Sequence, residues 1–463
     1  MPVEVKVIME ASNNNITEFE RVLLVGVDAP VKNGGERGGE KVKRDFGHSM
    51  KELEMLAEAG LMTPVGQVTQ KLDYPNSALY VGPGKLEEIK EKAEALEAGL
   101  IIFNDMLTPS QLRNLQDGTG LPVMDRTGLI LDIFERRART HEAKLQVETA
   151  RLKYLMPRLI GMRDALTRQG GTSGSMSSRG AGEKQLELDR RRIEKRLSEL
   201  RRELENVSRE RDTQRKKRSD SGLPLVALAG YTNAGKSTLM NRLIVHGSEE
   251  KQVFEADMLF ATLDTSVRKI NAGKNKNFLL SDTVGFIEDL PHDLVKAFRS
   301  TLDEIKNADL ILHVVDCSDE HFNDHIRVTK DTLKMLDAGA VPVITVFNKA
   351  DLCTPPVIYP RLGGVRNAEE VRTDRRGSSR PADRIYISAK DDASIDMLLK
   401  LIADTVYGDY EEAVFLVPYK DGAVSAYLME NTEVISVNYE ENGTLISCRC
   451  SRADRNRYTA YET

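Results

Sequence analysis

An apolar run at residues 223–229 ends in Gly230-Tyr231-Thr232-Asn233-Ala234-Gly235-Lys236-Ser237, and this junction constrains the fold more than any other stretch of the chain. The G-x-x-x-x-G-K-[ST] spacing works only where a strand enters and a helix leaves. Its glycines let backbone N–H groups curl around phosphates, while Lys236 reaches the terminal phosphates and Ser237 ligates Mg2+. Residues 237–245 read as the departing helix, whose N-terminus adds a partial positive charge to the same site. A strand, phosphate loop and helix in this order imply an open α/β sheet that binds a nucleoside triphosphate.

Three further segments identify the nucleotide. The apolar strand 278–281 runs into Asp282-Thr283-Val284-Gly285, where the carboxylate is placed to hold Mg2+ through water and the glycine amide to sense a γ-phosphate. Strand 341–347 ends in Asn348-Lys349-Ala350-Asp351. Its aspartate accepts from both N1–H and the exocyclic amine of guanine, a donor pair that adenine lacks. Strand 384–387 ends in Ser388-Ala389-Lys390, with the Ala389 amide directed to guanine O6. Each tetrapeptide is weak alone, but all fall at the C-terminal ends of expected strands, where ligands of open α/β sheets gather. GTP and GDP are the expected ligands. Within Phe260-Ala261-Thr262-Leu263-Asp264-Thr265, Thr262 is the choice for a Mg2+ ligand that engages only beside a γ-phosphate, with Thr265 the competing candidate. The expected catalytic set is Lys236, Thr262 and Gly285. Phe286 stands where many small GTPases carry a glutamine, and a phenyl ring cannot orient water, so intrinsic turnover should be slow and completed by a partner. The side-chain oxygen of Asn233 is a candidate ligand for K+ beside the β- and γ-phosphates, the alternative being a brace for the loop.

The rest of the chain organises around this machinery. At 463 residues it implies about three domains. Between residues 22 and 125, apolar runs (22–27, 65–72, 100–103, 122–124) alternate with helical patterns (50–59, 85–98, 109–116), which predicts a small α/β domain with a largely parallel sheet. The glycine-rich stretch 34–39 and the turn Val81-Gly82-Pro83-Gly84-Lys85 lack phosphate-loop or dinucleotide spacing and read as turns before helices. A helical pattern over 129–160 and a second in which Leu186, Ile193, Leu197, Leu200, Leu204 and Val207 mark a seam predict an antiparallel hairpin, with a Gly/Ser/Arg-rich loop at 161–182 as its tip. Residues 184–218 hold 14 Lys/Arg against 8 Asp/Glu, a net +6 in a chain of net −6. Read as unpaired clusters, Arg190, Arg191 and Arg192, with Arg215 to Arg218 and the loop residues Arg168 and Arg179, point to contact with a phosphate backbone by shape rather than sequence. A solvated helix face with intrahelical ion pairs is the bland alternative. The four cysteines, Cys317, Cys353, Cys448 and Cys450, lack zinc spacing and are too few for a disulfide framework; each reads as a small buried hydrophobe of a cytoplasmic protein without a membrane span.

The phosphate loop, the 260–264 segment, Asp282-Thr283-Val284-Gly285-Phe286, Arg179-Gly180-Ala181-Gly182-Glu183-Lys184-Gln185-Leu186-Glu187 and Tyr80-Val81-Gly82-Pro83-Gly84-Lys85-Leu86 together resemble the HflX GTPases over nearly the whole chain. The last two segments lie outside the GTPase motifs and give the resemblance its specificity. It implies an α/β protein with an N-terminal α/β domain (1–128), a helical hairpin (129–219), a P-loop GTPase domain (220–408) and a small C-terminal α+β domain (409–463). It also implies a monomer when free, a partner in the large ribosomal subunit and its RNA, dissociation or rescue of stalled or idle ribosomes, and ribosome-stimulated hydrolysis. Two departures stand out: the loop has fewer glycines than the family pattern, and Thr265 replaces a common proline. The competing readings are a signalling GTPase whose hairpin pairs with proteins, and an RNA-remodelling factor that also uses ATP in its N-terminal domain. Segment 353–383 reads as an insertion without legible function.

Overall fold

The computed structural model describes residues 21–32, 41–42, 45–169, 176–219, 223–247, 266–273, 276–283, 285–288, 304–353, 361–363, 383–408 and 410–463. The chain divides into two compact units, with the break in the main chain path between Val207 and Ser208.

The first unit contains β1 (Arg21–Asp28), a short pair β2 (Val31–Lys32) and β3 (Lys41–Val42), α1 (Phe46–Ala59), β4 (Thr63–Lys71), α2 (Pro83–Ala95), β5 (Leu100–Phe103), α3 (Pro109–Thr119), β6 (Val123–Asp125) and α4 (Arg126–Arg137). Four strands form a parallel sheet in the order β4-β1-β5-β6, as the alternation of apolar runs and helical patterns predicts. Six consecutive residues of β1 are buried because helices cover both faces of a parallel sheet. The Gly82-Pro83 turn starts α2, with proline in the first helical turn. The 34–39 stretch lies outside the described residues.

Where α1, the end of β5 and the start of α4 meet is a polar cluster with no periodic signature in the sequence. Arg126 Nη1 donates to Asn104 Oδ1 at 3.0 Å, Asn104 Nδ2 donates to Ser49 Oγ at 2.8 Å, and Arg126 forms an ion pair with Glu52. All four side chains are buried.

The expected single helix over 129–160 is two helices. α4 ends at Arg137, Ala138 takes an extended conformation, and α5 (His141–Gln169) starts afresh with Thr140 Oγ1 accepting from Ala143 N at 3.2 Å. A threonine that caps a new helix competes with continuation of the old one. α5 and α6 (Met176–Ser219) form the expected hairpin. Ile193 packs with Leu152, Met156 and Leu197, and Arg196 grips Glu148 through two hydrogen bonds of 2.7 and 2.9 Å. Both helices run into the 161–182 segment, so the expected loop is shorter than its composition suggests. A helix-interior glycine costs only about 1 kcal/mol, which continuation of the hairpin offsets. Residues 170–175 lie outside the described residues.

The second unit carries a seven-stranded sheet. Its elements are β7 (Leu225–Gly230), α7 (Lys236–Gly247), β8 (Val267–Asn271), β9 (Asn277–Ser281), β10 (Leu310–Asp316), α8 (Phe322–Met335), β11 (Val343–Asn348), β12 (Arg361–Gly363), β13 (Arg384–Tyr386) and α9 (Asp392–Val406). The strand order is β12-β13-β11-β10-β7-β9-β8, with only the two edge pairings antiparallel. β12 comes from the expected insertion, so part of that segment is an edge strand. An α+β appendage follows: β14 (Glu411–Val417), α10 (Gly422–Asn431), β15 (Glu433–Glu440), β16 (Gly443–Cys450) and α11 (Arg452–Arg457), in the strand-helix-strand-strand order read from sequence. Cys448 and Cys450 are both buried on its core face. Lys276 pairs with Glu433 at 3.2 Å, tying the appendage to the large sheet.

Replacing Glu52 with alanine removes the carboxylate facing a buried guanidinium, and should destabilise the N-terminal sheet by about 3–5 kcal/mol. Hydrogen exchange at β1 and β5 measures this; unchanged protection there would show the pair to be dispensable.

Candidate functional site

The phosphate loop sits where β7 meets α7, held open by two glycines that tolerate no side chain. Gly230 has φ +154°, and a Cβ there would lie 2.2 Å from the Val314 carbonyl oxygen on β10. Gly235 has φ +89°, and its Cβ would lie 2.3 Å from Asn348 Nδ2. Lys236 folds back beneath the loop, donating to the Gly230 and Tyr231 carbonyls at 3.0 and 2.7 Å. Its burial lowers the ammonium pKa to about 8, against the opposing pull of Asp282. Ser237 Oγ lies 3.2 Å from Asp282 Oδ2. Asp282 is itself fully buried, and its Oδ1 accepts from Thr283 N at 2.9 Å. Thr283 Oγ1 donates to Leu228 O at 2.6 Å, which anchors this strand end to β7. A hydroxyl and a carboxylate thus meet at the first turn of α7, a donor set suited to Mg2+.

At the next strand ends the two remaining segments and the phosphate loop converge on one carboxamide. Asn348 Nδ2 donates to Ala234 O at 3.0 Å, and Asn348 Oδ1 accepts from Ala389 N at 3.0 Å. The first residue of the expected guanine motif thus joins the phosphate loop to Ser388-Ala389-Lys390. Lys349 has φ +59° and pairs with Asp316 at 2.8 Å. Ala350 N donates to Ile387 O at 3.0 Å, while Asp351 and Lys390 are exposed beside the buried Ser388. An exposed carboxylate at this edge is free to meet a base.

Gly285 presses on the phosphate loop so closely that a Cβ would lie 2.8 Å from Thr232 Cγ2 and 3.1 Å from Lys236 Nζ. The next residue is zipped to the loop: Phe286 N donates to Gly230 O at 3.1 Å, and Thr232 N donates to Phe286 O at 2.8 Å. The Phe286 ring is buried, away from solvent. Sequence spacing gave no sign of Tyr231's part in this. Its ring stacks on His325 of α8 at 3.9 Å, and its hydroxyl accepts from Glu288 N at 2.8 Å. Asn233 is exposed at φ +58°. Phe260, Ala261, Thr262, Leu263, Asp264, Thr265 and Val284 lie outside the described residues.

One expectation about charge is corrected. Arg190, Arg191 and Arg192 are not an unpaired cluster; they pair with Glu194 at 2.9 Å, Glu187 at 3.2 Å and Asp189 at 3.1 Å. Acids three and four residues away share their helix face, as the alternative reading of a solvated face with intrahelical ion pairs has it. The side chains of Arg168, Arg179 and 215–218 lie outside the described residues.

Phosphate oxyanions favour the charged form of Lys236, so triphosphate binding should raise its pKa. Affinity is then greatest below about pH 8 and declines as pH rises through that value, with proton uptake on binding. Calorimetry in buffers of different ionisation enthalpy measures the uptake; none between pH 8 and 9 would contradict the assignment.

Three family models match in succession: a GTP-binding GTPase N-terminal model over residues 47–135, a GTP-binding GTPase middle-region model over 137–218, and a 50S ribosome-binding GTPase model over 225–349. Among curated relatives, the GTPase HflX of Caldanaerobacter subterraneus is 42% identical, covering 85% of this chain and 86% of that protein. That of Alkalihalophilus pseudofirmus is 47% identical over 72% of this chain and 75% of its own, and that of Escherichia coli 37% identical over 86% and 88%. A solved GTP-binding protein from Sulfolobus solfataricus, in complex with GDP, is 21% identical at a TM-score of 0.43, covering 84% of this chain and 99% of that one. With relatives of this identity aligned over most of its length, and the phosphate loop, Asp282 and Asn348 gathered at one sheet edge, the chain belongs to the HflX family of GTPases.

Proposed function

We propose that this GTPase grips the large ribosomal subunit in its GTP form, splits or rescues stalled or idle ribosomes, and is released by hydrolysis. The observation that carries the nucleotide half is the pair of hydrogen bonds through which Asn348 holds Ala234 and Ala389, because it sets a base-reading edge at a fixed distance from a phosphate loop. In this reading Gly230 to Ser237 cradle the phosphates, Lys236 neutralises their charge, and Asp351 with Ala389 reads guanine. Lys349, Ala350, Ser388 and Lys390 shape that edge. Mg2+, held by Ser237, by Thr262 and through water by Asp282, would draw charge from the β- and γ-phosphate oxygens; this ion ordinarily takes few protein ligands and keeps several waters. Gly285 reports the γ-phosphate through its amide.

Slow intrinsic turnover follows from the buried Phe286, which offers nothing to orient water. A ribosomal partner would complete the site, a contribution typically worth about 10³–10⁵ in rate. Asn233 supports a K+ site, since its exposed side chain makes no hydrogen bond to another described residue. Turnover should therefore be faster in K+ than in Na+ at equal ionic strength; equal rates would remove Asn233 from that role.

The family description of a 50S ribosome-binding GTPase supports the large subunit as partner. The paired arginines of α6 do not oppose RNA contact, because exposed ion pairs of this kind are worth about 0–1 kcal/mol and RNA phosphates can take the place of the acids. Arg168, Arg179, Arg190, Arg191 and Arg192 remain the proposed contacts. Among the described residues no helix is long and apolar enough to cross a membrane. Sedimentation with purified large subunits tests the proposal. Pelleting should be stronger with a non-hydrolysable GTP analogue than with GDP, and should weaken steeply with salt. Equal pelleting in both nucleotides would refute the switch, and salt-insensitive binding would favour a hairpin that pairs with proteins.

A further inference from the structure

Two cysteines distant in sequence meet beside the base-reading edge. Cys317 follows the last residue of β10, and Cys353 lies two residues beyond Asp351. Their Sγ atoms are 3.0 Å apart. Both are wired to the same turn: Cys317 N and Cys317 Sγ donate to Asn348 O at 3.0 and 3.1 Å, and Cys353 Sγ donates to Cys317 O at 3.2 Å. Cys317 is half-buried and Cys353 is buried. The more exposed of the two is the one assigned to meet a small oxidant, with the other sulfur in contact with it. The remaining pair, Cys448 and Cys450, is buried in the appendage.

We propose that Cys317 and Cys353 form a dithiol–disulfide modification site, oxidised by hydroperoxides, whose closure weakens guanine-nucleotide binding. The coupling rests on the reading of Asn348 and Asp351 as the base-reading edge; formation of the bond does not. In the first step the Cys317 thiolate attacks a peroxide oxygen, the O–O bond breaks, and the departing hydroxide takes a proton to become water, leaving a sulfenic acid. The Cys353 sulfur then attacks the sulfenic sulfur and the S–O bond breaks. The hydroxide so released leaves as water with the Cys353 proton. Two thiols lose two electrons and hydrogen peroxide becomes two waters.

Closure brings the sulfurs from 3.0 Å to about 2.05 Å and consumes both thiol hydrogens. The Asn348 carbonyl and the Cys317 carbonyl each lose a donor, and the turn carrying Asp351 is drawn toward the end of β10. The same end holds Asp316, the ion-pair partner of Lys349, so the strain falls on residues that flank the base. Burial, and then the neighbouring Cys353 thiol, hold the Cys317 thiol well above the usual range. Oxidation should therefore be slow at neutral pH and quicken as pH rises, which restricts the response to sustained peroxide exposure.

The test uses the full-length protein, treated with hydrogen peroxide at pH 8, alkylated, digested and analysed by mass spectrometry, with affinity read from a fluorescent GDP analogue. The expected product is a peptide pair linked through Cys317 and Cys353 with a loss of two titratable thiols. GDP affinity should fall by roughly fivefold or more and recover with dithiothreitol, and both effects should be absent in Cys353→Ser and in Cys353→Ala. Absence of the linked peptides would overturn the modification site. Linked peptides with unchanged GDP affinity would overturn the coupling. Failure of the reduced wild type to bind GDP would instead refute the base-edge assignment, a result distinguishable because peptide linkage is read without nucleotide.

Discussion

Asn348 spans the gap between two loops with one carboxamide, donating to Ala234 O and accepting from Ala389 N at 3.0 Å each. The side chain is almost fully buried, and a buried amide left without partners costs about 1–3 kcal/mol, so the arrangement resists loosening at either end. Gly235 has no side chain because one would collide with this amide. The distance from the phosphate loop to the turn at Ser388 is thus set by a short hydrogen-bonded strut rather than by the sheet alone. The two loops share one support.

The segment after Asp282 is fastened to the same loop from the other side. Phe286 exchanges backbone hydrogen bonds with Gly230 and Thr232, and Tyr231 adds a stack on His325 and a hydrogen bond from Glu288. Gly285 lies between these anchors, close to Lys236 Nζ. A movement that brought its amide toward a γ-phosphate would be felt at once in the loop and, through Tyr231, at α8. Close approach and fastening are therefore carried by neighbouring residues, the glycine for approach and the aromatics for attachment.

The hairpin follows a different logic, because its stability is distributed. Among the described residues its apolar seam joins Ile193 with Leu152, Met156 and Leu197, and Leu200 is fully buried. Ion pairs along α6 and the grip of Arg196 on Glu148 supplement it. Weak, exposed pairs suit a surface that exchanges acidic partners for the phosphates of another molecule.

The motif spacings, the alternation of apolar runs and the heptad-like steps were enough to indicate a P-loop α/β unit, an N-terminal parallel sheet, a hairpin and a strand-helix-strand-strand appendage, since these depend on local periodicity and short loops. The positions of Gly230, Lys236, Ser237, Asp282, Asn348 and Ala389 were legible for the same reason: each stands at a fixed offset from a strand end. The break between α4 and α5 was not, because a capping threonine resembles any other polar residue inside a helical pattern. The pairing of Arg190, Arg191 and Arg192 with acids three and four residues away was the bland alternative of the sequence reading, outweighed there by the run of charge. The buried Glu52–Arg126 pair, the Tyr231–His325 stack and the Cys317–Cys353 contact join residues dozens of positions apart. By itself the amino-acid order determined which strand ends carry the motifs; only the tertiary structure decided which of those ends touch, because contact across a sheet depends on strand order and register, which no local pattern encodes.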